Sequence, residues 1–282
     1  PTKRYYRILF IPSRAVQIRE LNQIQTVIQE QIRRFGDHVF KDGSIVDGCA
    51  IKHIPTLDYV RVNNSYNVAN SNNEFDDSLQ DFLLVSNTGV RASVRLIESG
   101  YQNLYPDTNT LYVDYIRSGR DGSNNEVTEF TSGETLTVYS TAQSKLSSVL
   151  DSNNIFNTIN VYTANVAANQ SSVGETYGVH VGEGIVYQKG YFVSVNPHTI
   201  AVRKYSTDVD GYLVGFQTEE SIVTHLQDES LHDPVTNSNF NAPGADRLKL
   251  NPTLVAIHAD DIEDEDFFPI IEFQGSKPIV QK

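Results

Sequence analysis

Residues 8–49 read ILFIPSRAVQIRELNQIQTVIQEQIRRFGDHVFKDGSIVDGC. The apolar run 8–11 has the length of a short strand and stops at Pro12. A helix is expected to follow, capped by Ser13 and ended by Gly36. Along it Ile18, Leu21, Ile28, Ile32 and Phe35 recur in alternating steps of three and four, with polar Gln25 in the one missing place. That spacing makes a seam for packing against other helices. Ile24 and Val27 widen the apolar face, while Gln17, Gln23, Gln29 and Gln31 occupy the outer positions. Arg33 and Arg34 fall in the expected last turn, where cations suit the helix dipole. Two readings fit the seam. The helix lies on a sheet of its own domain, or it packs in a bundle between chains, where Gln25 would fix the register.

Beyond Gly36 the pattern changes. Val, Ile, Thr and Tyr alternate with polar residues, and clusters of Asn, Asp, Gly and Ser separate the runs, as at 63–77. This is the signature of short strands and turns. Two blocks recur. Residues 48–61 match 190–203 in spacing, each reading as strand, proline turn, strand, around Pro55 and Pro197. Residues 111–130 match 254–273 in length, and both end in Glu-Phe before a glycine turn and a last strand. The offset is nearly constant, so a duplication is the reading, against the alternative that β-hairpins look alike at low identity. The fold class is therefore mainly β: an N-terminal amphipathic helix followed by two related β-sandwich or barrel-like modules. The expected domains are 1–36 for the first strand and assembly helix, 37–140 for module 1, 141–177 for a connector, and 178–282 for module 2. Within the connector, 142–150 can be helical.

The chain has 282 residues, a hydrophobic fraction of 39% and a formal net charge of -13. It can build sizeable cores, with Tyr and Phe carrying much of the burial because Trp and Met are absent. Its acidity argues against nucleic acid or an anionic membrane as partner. No stretch is long and apolar enough for a signal peptide or a membrane span. Cys49 is the single cysteine, so no internal disulfide forms, and synthesis in a reducing cytoplasm is expected.

Chemistry is hard to find. Asp208-x-Asp210-Gly211 resembles the start of a calcium loop, but its glycine comes too early and strands flank it, so it reads as a turn. The acidic run 260–266 reads as a solvated loop. Gly182, Gly184 and Gly190 do not make a phosphate-binding pattern ahead of a helix. The seven histidines lie apart, with no zinc-site spacing, and His225 and His232 read as surface or structural. Cys49 reads as a buried, inert thiol on a strand. No catalytic residue, cofactor or metal is expected. One loop, 239–247, combines Phe240, the turn formers Pro243 and Gly244, and the acid-base pair Asp246 and Arg247. Two roles fit it: shaping its own turn, or docking a neighbouring subunit.

Several stretches resemble a family of uncharacterised domains in the virion structural proteins of tailed bacteriophages. The matches are Gln17, Arg19, Glu20, Leu21, Gln23 and Gln25 on the helix, and Phe35, Gly36, Asp37, Phe40, Lys41, Asp42 and Gly43 after it. GxVYxKGYFVxV at 184–195 and DESLHDPVTNSNFNAPGADRLKL at 228–250 extend the likeness over most of the chain. The resemblance implies a non-enzymatic component of the tail, in the baseplate or fibre-attachment apparatus, as the N-terminal module of a tail fibre or a fibre adaptor. It implies a homotrimer, with other tail, baseplate or neck proteins as partners and the virion as location. The alternative is a tail protein that binds or cleaves host glycan, its acids and tyrosines serving sugar stacking and acid catalysis.

Overall fold

The computed structural model describes residues 6–12, 14–63, 82–98, 108–139, 147, 149–163, 171–232, 242–262 and 266–280. In chain order the elements are α1 (Ile18–Val39), β1 (Ile45–Gly48), β2 (Ile51–Val62), β3 (Leu83–Ser86), β4 (Arg91–Glu98), β5 (Asn109–Arg117), β6 (Gly119–Arg120), β7 (Glu126–Val127) and β8 (Thr135–Tyr139). They continue as β9 (Ile155–Asn160), β10 (Val173–Val181), β11 (Gly184–Gln188), β12 (Tyr191–Val195), β13 (His198–Ala201), β14 (Tyr212–Val223), β15 (Arg247–His258), β16 (Phe267–Gln274) and β17 (Lys277–Val280). The protein is mainly β, with one α-helix among the described residues, as its sequence pattern implies.

Two compact units divide the chain, and they interleave. One unit takes residues 1–51, 181–198 and 211–282; the other takes 52–180 and 199–210. This differs from a division at 37–140 and 178–282. The strands of 178–201 sort between both units, because β10 and β13 pair into the sheet of β2 while β11 and β12 pair with β1.

The second unit holds an eight-stranded sheet in the order β13-β10-β2-β5-β4-β3-β8-β9. Its long antiparallel run curls until the end of β9 returns to the end of β2. There Val62 bridges Val161, Asn63 N–H donates to the Asn160 carbonyl at 3.0 Å, and Tyr162 N–H donates to the Arg61 carbonyl at 2.8 Å. Six strands thus enclose an apolar interior that includes Val60, Val62, Leu84, Val94, Leu111, Val113, Leu136, Val138 and Ile159, with Phe130 also in it. Inward and outward positions alternate along β2. Val60 and Val62 face this core, while Leu57 and Tyr59 face a second cluster with Tyr112.

The first unit holds α1, a three-stranded sheet β1-β11-β12, and a four-stranded sheet β15-β14-β16-β17. The β14–β15 hairpin is twelve pairs long, from Tyr212↔His258 to Val223↔Arg247. Between β1 and β2 the chain makes a hook: Gly48 and Cys49 take φ of 64° and 50°. Cys49 is buried, but it sits in this hook and not on a strand as its flanking residues suggested. Cys49 N–H donates to the Glu183 carbonyl at 2.8 Å, which brings the link so close to Gly184 that a Cβ there would lie 2.4 Å from Asp47 O.

The duplication is not shown. Residues 190–203 do form two short strands around Pro197, but 51–62 runs as one strand straight through Pro55. The ladder with β5 begins only at Asp58, beyond the proline, so the missing N–H breaks no bond there. The connection at 63–77 lies outside the described residues apart from Asn63, as does most of 142–150.

Candidate interaction surface

α1 departs from its expected bounds at both ends. The run 8–11 carries no strand, and Ser13 lies outside the described residues. The helix starts at Ile18 behind Gln17, whose N–H donates to the Glu20 carboxylate at 3.0 Å, one arm of a capping box. Gly36 does not end the helix, which runs on to Val39 and closes with Phe40 N–H on the Gly36 carbonyl at 2.7 Å.

The reason lies in Tyr187. Gly36 is the one buried residue of the helix, and a Cβ there would sit 2.3 Å from the Tyr187 ring. Glycine is needed for close approach and not for a left-handed cap. The Tyr187 hydroxyl donates to the Asp37 carboxylate at 2.6 Å and also lies 2.9 Å from the Arg33 carbonyl. Burial first, then the hydrogen bond to Asp37 and its charge, pushes its pKa up to about 12. The contact continues through the following turn. Lys189 N–H donates to Asp42 at 2.7 Å, Gly43 N–H to the Tyr187 carbonyl at 2.7 Å, and Tyr187 N–H to the Ser44 carbonyl at 2.9 Å. The rings of Phe40, Tyr187 and Phe192 pack with centroids 5.0–5.8 Å apart. The stretches 35–43 and 184–195, distant in sequence, are thus one joint that holds the C-terminal end of α1.

The seam itself stays open. Exposure runs from 46% at Ile32 to 79% at Ile18, with Leu21, Ile28 and Phe35 between, and Gln25 is exposed as well. Val39 extends the same spacing by one step and is 53% exposed. Ile24 and Val27 are half-buried. Among the described residues no other element covers the stripe. The stripe spans about 31 Å at 1.5 Å per residue. Contiguous rows of large apolar side chains left in water are uncommon on the surface of a monomer. The charges sit elsewhere on the helix. Arg33 pairs with Glu30 at 2.9 Å and Asp37 at 2.6 Å, and Arg34 pairs with Glu30 at 2.9 Å. The Arg33 and Arg34 guanidiniums hold the Glu30 carboxyl at about 2.

In the loop 239–247, Phe240 lies outside the described residues. Pro243 bridges His232, Gly244 N–H donates to the Leu231 carbonyl at 2.9 Å, and Arg247 donates to the Ala245 carbonyl at 2.7 Å. Arg247 therefore shapes its own turn, while Pro243, Asp246 and Arg247 remain exposed. His225 and His232 meet edge to face at 5.4 Å, a proximity their spacing did not reveal. At 208–211 a turn forms, with Asp210 N–H on the Asp208 carboxylate at 3.4 Å and Gly211 at φ 75°. Among the described residues no group of three His, Cys, Asp or Glu is placed to hold a metal ion. None of the helices described is long and apolar enough to cross a membrane.

One polar cavity, missed in the sequence, opens beside the long hairpin. It measures about 500 Å³ and is lined by Lys189, Gln217, Thr218, Glu219, Glu220, Thr253 and Asp266. Asp266 is held by Lys189 at 2.7 Å. Below it, buried Gln188 accepts from the Thr218 hydroxyl.

A family model described as a domain of unknown function (DUF4815) matches residues 1–66 and 134–282. No curated protein and no solved structure matches the chain significantly.

Proposed function

The chain belongs to this family of unknown function, and we propose from its surface that it is a non-enzymatic structural protein that assembles through α1. The single observation that carries the reading is the seam left uncovered among the described residues: six large apolar side chains at heptad spacing, on a helix held at its C-terminal end. Such a stripe gains stability by being covered, as by partner helices, and about 25 cal/mol is recovered per Å² of apolar area removed from water. The resemblance of 17–43, 184–195 and 228–250 to bacteriophage virion proteins supports a place in the tail, in the baseplate or fibre-attachment apparatus. Sedimentation of the full chain beside Leu21→Asp and Ile28→Asp tests the assembly role. The parent is expected to associate and both variants to fall to monomers with unchanged β-sheet circular dichroism. Variants that associate as the parent does would remove the reading.

The polar cavity favours a second reading, a glycan-binding tail protein. Its donors and acceptors, among them Lys189, Gln217, Glu220 and Thr253, suit sugar hydroxyls. Binding to a panel of bacterial surface polysaccharides, lost in Glu220→Ala, is the expected result on this reading. Release of oligosaccharides would add cleavage, and no binding at millimolar sugar would end it.

A further inference from the structure

We infer that the cavity beside the β14–β15 hairpin takes a sugar carrying a free ammonium group, an amino sugar without an N-acetyl cap; the inference rests on the glycan reading above and names the class of glycan. The cavity's place in the sheet comes first. β16 begins at Phe267 and pairs with β14 only from Leu213 to Gln217. β14 runs on to Val223 with β15 alone paired to it. The cavity lies along the edge that β16 leaves, and Asp266, the residue just before β16, is part of its lining. Side chains from both faces of a strand can reach a vacated edge, so four consecutive residues, 217–220, line one cavity. Its volume of about 500 Å³ is that of a small-molecule site.

The charges choose among glycans. Three carboxylates, on Glu219, Glu220 and Asp266, share the lining with one ammonium, on Lys189. Lys189 is held by Asp266 at 2.7 Å. Glu219 and Glu220 make no hydrogen bond or ion pair among the described residues. Their neighbours across the hairpin are Asn251 and Leu250, so no cation stands opposite them. Lys249 is opposite Ser221 and pairs with neither. Two adjacent carboxylates without a cation attract a positively charged guest, and the net charge of -13 adds to the attraction. A uronate or a sulfated sugar would bring a further anion beside them. An N-acetyl group would set a neutral amide where the cavity asks for charge.

The neutral groups choose a sugar over a basic peptide. All seven lining residues are polar or charged. A lysine or arginine side chain brings an alkyl stem that packs on apolar surface, and the lining offers none. A sugar ring brings hydroxyls instead. Gln217 and Thr253 are directly opposed across the hairpin, so their donors and acceptors lie on one face. Thr218 gives its hydroxyl proton to Gln188 and keeps its lone pairs for a ligand. Gln188 itself is 1% exposed, and its Nε2 has no hydrogen-bond partner among the described residues. A buried amide left half-satisfied is costly, and this one stands a single hydrogen bond behind the cavity wall.

The test is calorimetric titration of the full chain, in low salt at about pH 6 where a sugar amine is charged. The ligands are trimers of glucosamine, N-acetylglucosamine, glucose and glucuronate, with trilysine beside them. The glucosamine trimer is expected to bind about tenfold more tightly than its acetylated form, because hydrogen bonds between charged groups are about twice as strong as neutral ones. The glucuronate trimer should not bind. The double variant Glu219→Gln with Glu220→Gln should erase the tenfold preference. A preference that survives in that variant overturns the inference. Equal binding of the glucosamine and glucose trimers, both lost in Glu220→Ala, overturns it while the glycan reading stands. Tighter binding of trilysine than of the glucosamine trimer overturns it in favour of a basic peptide. No binding of any sugar at millimolar concentration overturns both the inference and the glycan reading.

Discussion

The Tyr187 ring lies against Gly36, with no room between them for even a methyl group. This decides the sign of a simple substitution. Helix propensity alone makes Gly36→Ala stabilising by about 1 kcal/mol. Overpacking against a buried ring costs about 1–3 kcal/mol. We expect the contact to win and Gly36→Ala to lower the thermal midpoint, while Gly36→Leu unseats the end of α1. A raised midpoint in the alanine variant would mean that the joint yields.

Tyr187→Phe separates the ring from its hydroxyl. The ring keeps its place between Phe40 and Phe192, but the bonds to Asp37 and the Arg33 carbonyl are lost. A loss of about 1–2 kcal/mol is expected by chemical denaturation, a charged acceptor being involved. Asp37→Asn in the same background should then add little, because the two residues act as one contact.

Asp58 is expected to make the protein more stable in mild acid. Its position shares the face of Val60 and Val62 on β2. Burial, and then the charges of Glu175, Glu129 and Asp114, raise its carboxyl to about 6. A pKa raised by folding means that the folded state holds the proton more tightly. The stabilising contribution is complete below the ordinary value near 4 and is lost as pH rises through 6. Asp58→Asn should therefore flatten stability between pH 4 and 7 and raise it at pH 7 by about 1 kcal/mol. One pKa unit corresponds to about 1.4 kcal/mol, and solvent screening at a half-exposed position reduces the total. An unchanged pH profile in the variant would assign the effect to other groups.

Arg61 clamps the place where the curled sheet meets itself. Its guanidinium stacks 4.5 Å from the ring centroids of both Tyr162 and Tyr205 and donates to the Thr108 hydroxyl at 3.0 Å. Arg61→Lys keeps the charge but loses the flat stacking surface. A loss of about 1–3 kcal/mol is expected in urea unfolding, and Arg61→Met should do no worse than Lys if stacking and not charge is what matters.

Cys49 serves as a reporter of the hook between β1 and β2. It is 2% exposed, and burial followed by the Asp47 charge pushes its thiol pKa up. A thiol reagent at pH 8 should label it at least a hundredfold more slowly in the native protein than in denaturant. Rapid native labelling would show that the hook opens.

The sequence carried some of this and hid the rest for physical reasons. The seam was legible because side chains three and four apart share a helix face whatever surrounds them. The β character was legible from alternation, which needs only the nearest strand neighbours. The end of α1 was misread at Gly36, since a glycine needed for close approach looks the same as a glycine needed for a left-handed turn. Its explanation, Tyr187, stands about 150 residues away. The division into modules failed likewise. Which sheet β10, β11 and β13 join depends on pairing partners far along the chain, and spacing within a hairpin does not encode them. The cavity at Lys189 and Glu220 is assembled from four separate stretches, so no local pattern announces it.

The joint at Tyr187 also imposes a timetable on synthesis. α1 is complete once residue 39 has left the ribosome, but its seat on β11 is not translated until residue 187. At 5–20 residues per second, that gap is roughly 7 to 30 s. Throughout it the helix lacks its seat at Tyr187 while neighbouring ribosomes on the same message carry identical helices. If α1 meets a partner helix as proposed above, that meeting can precede the folding of the protein's body, so the order of translation sets when assembly begins.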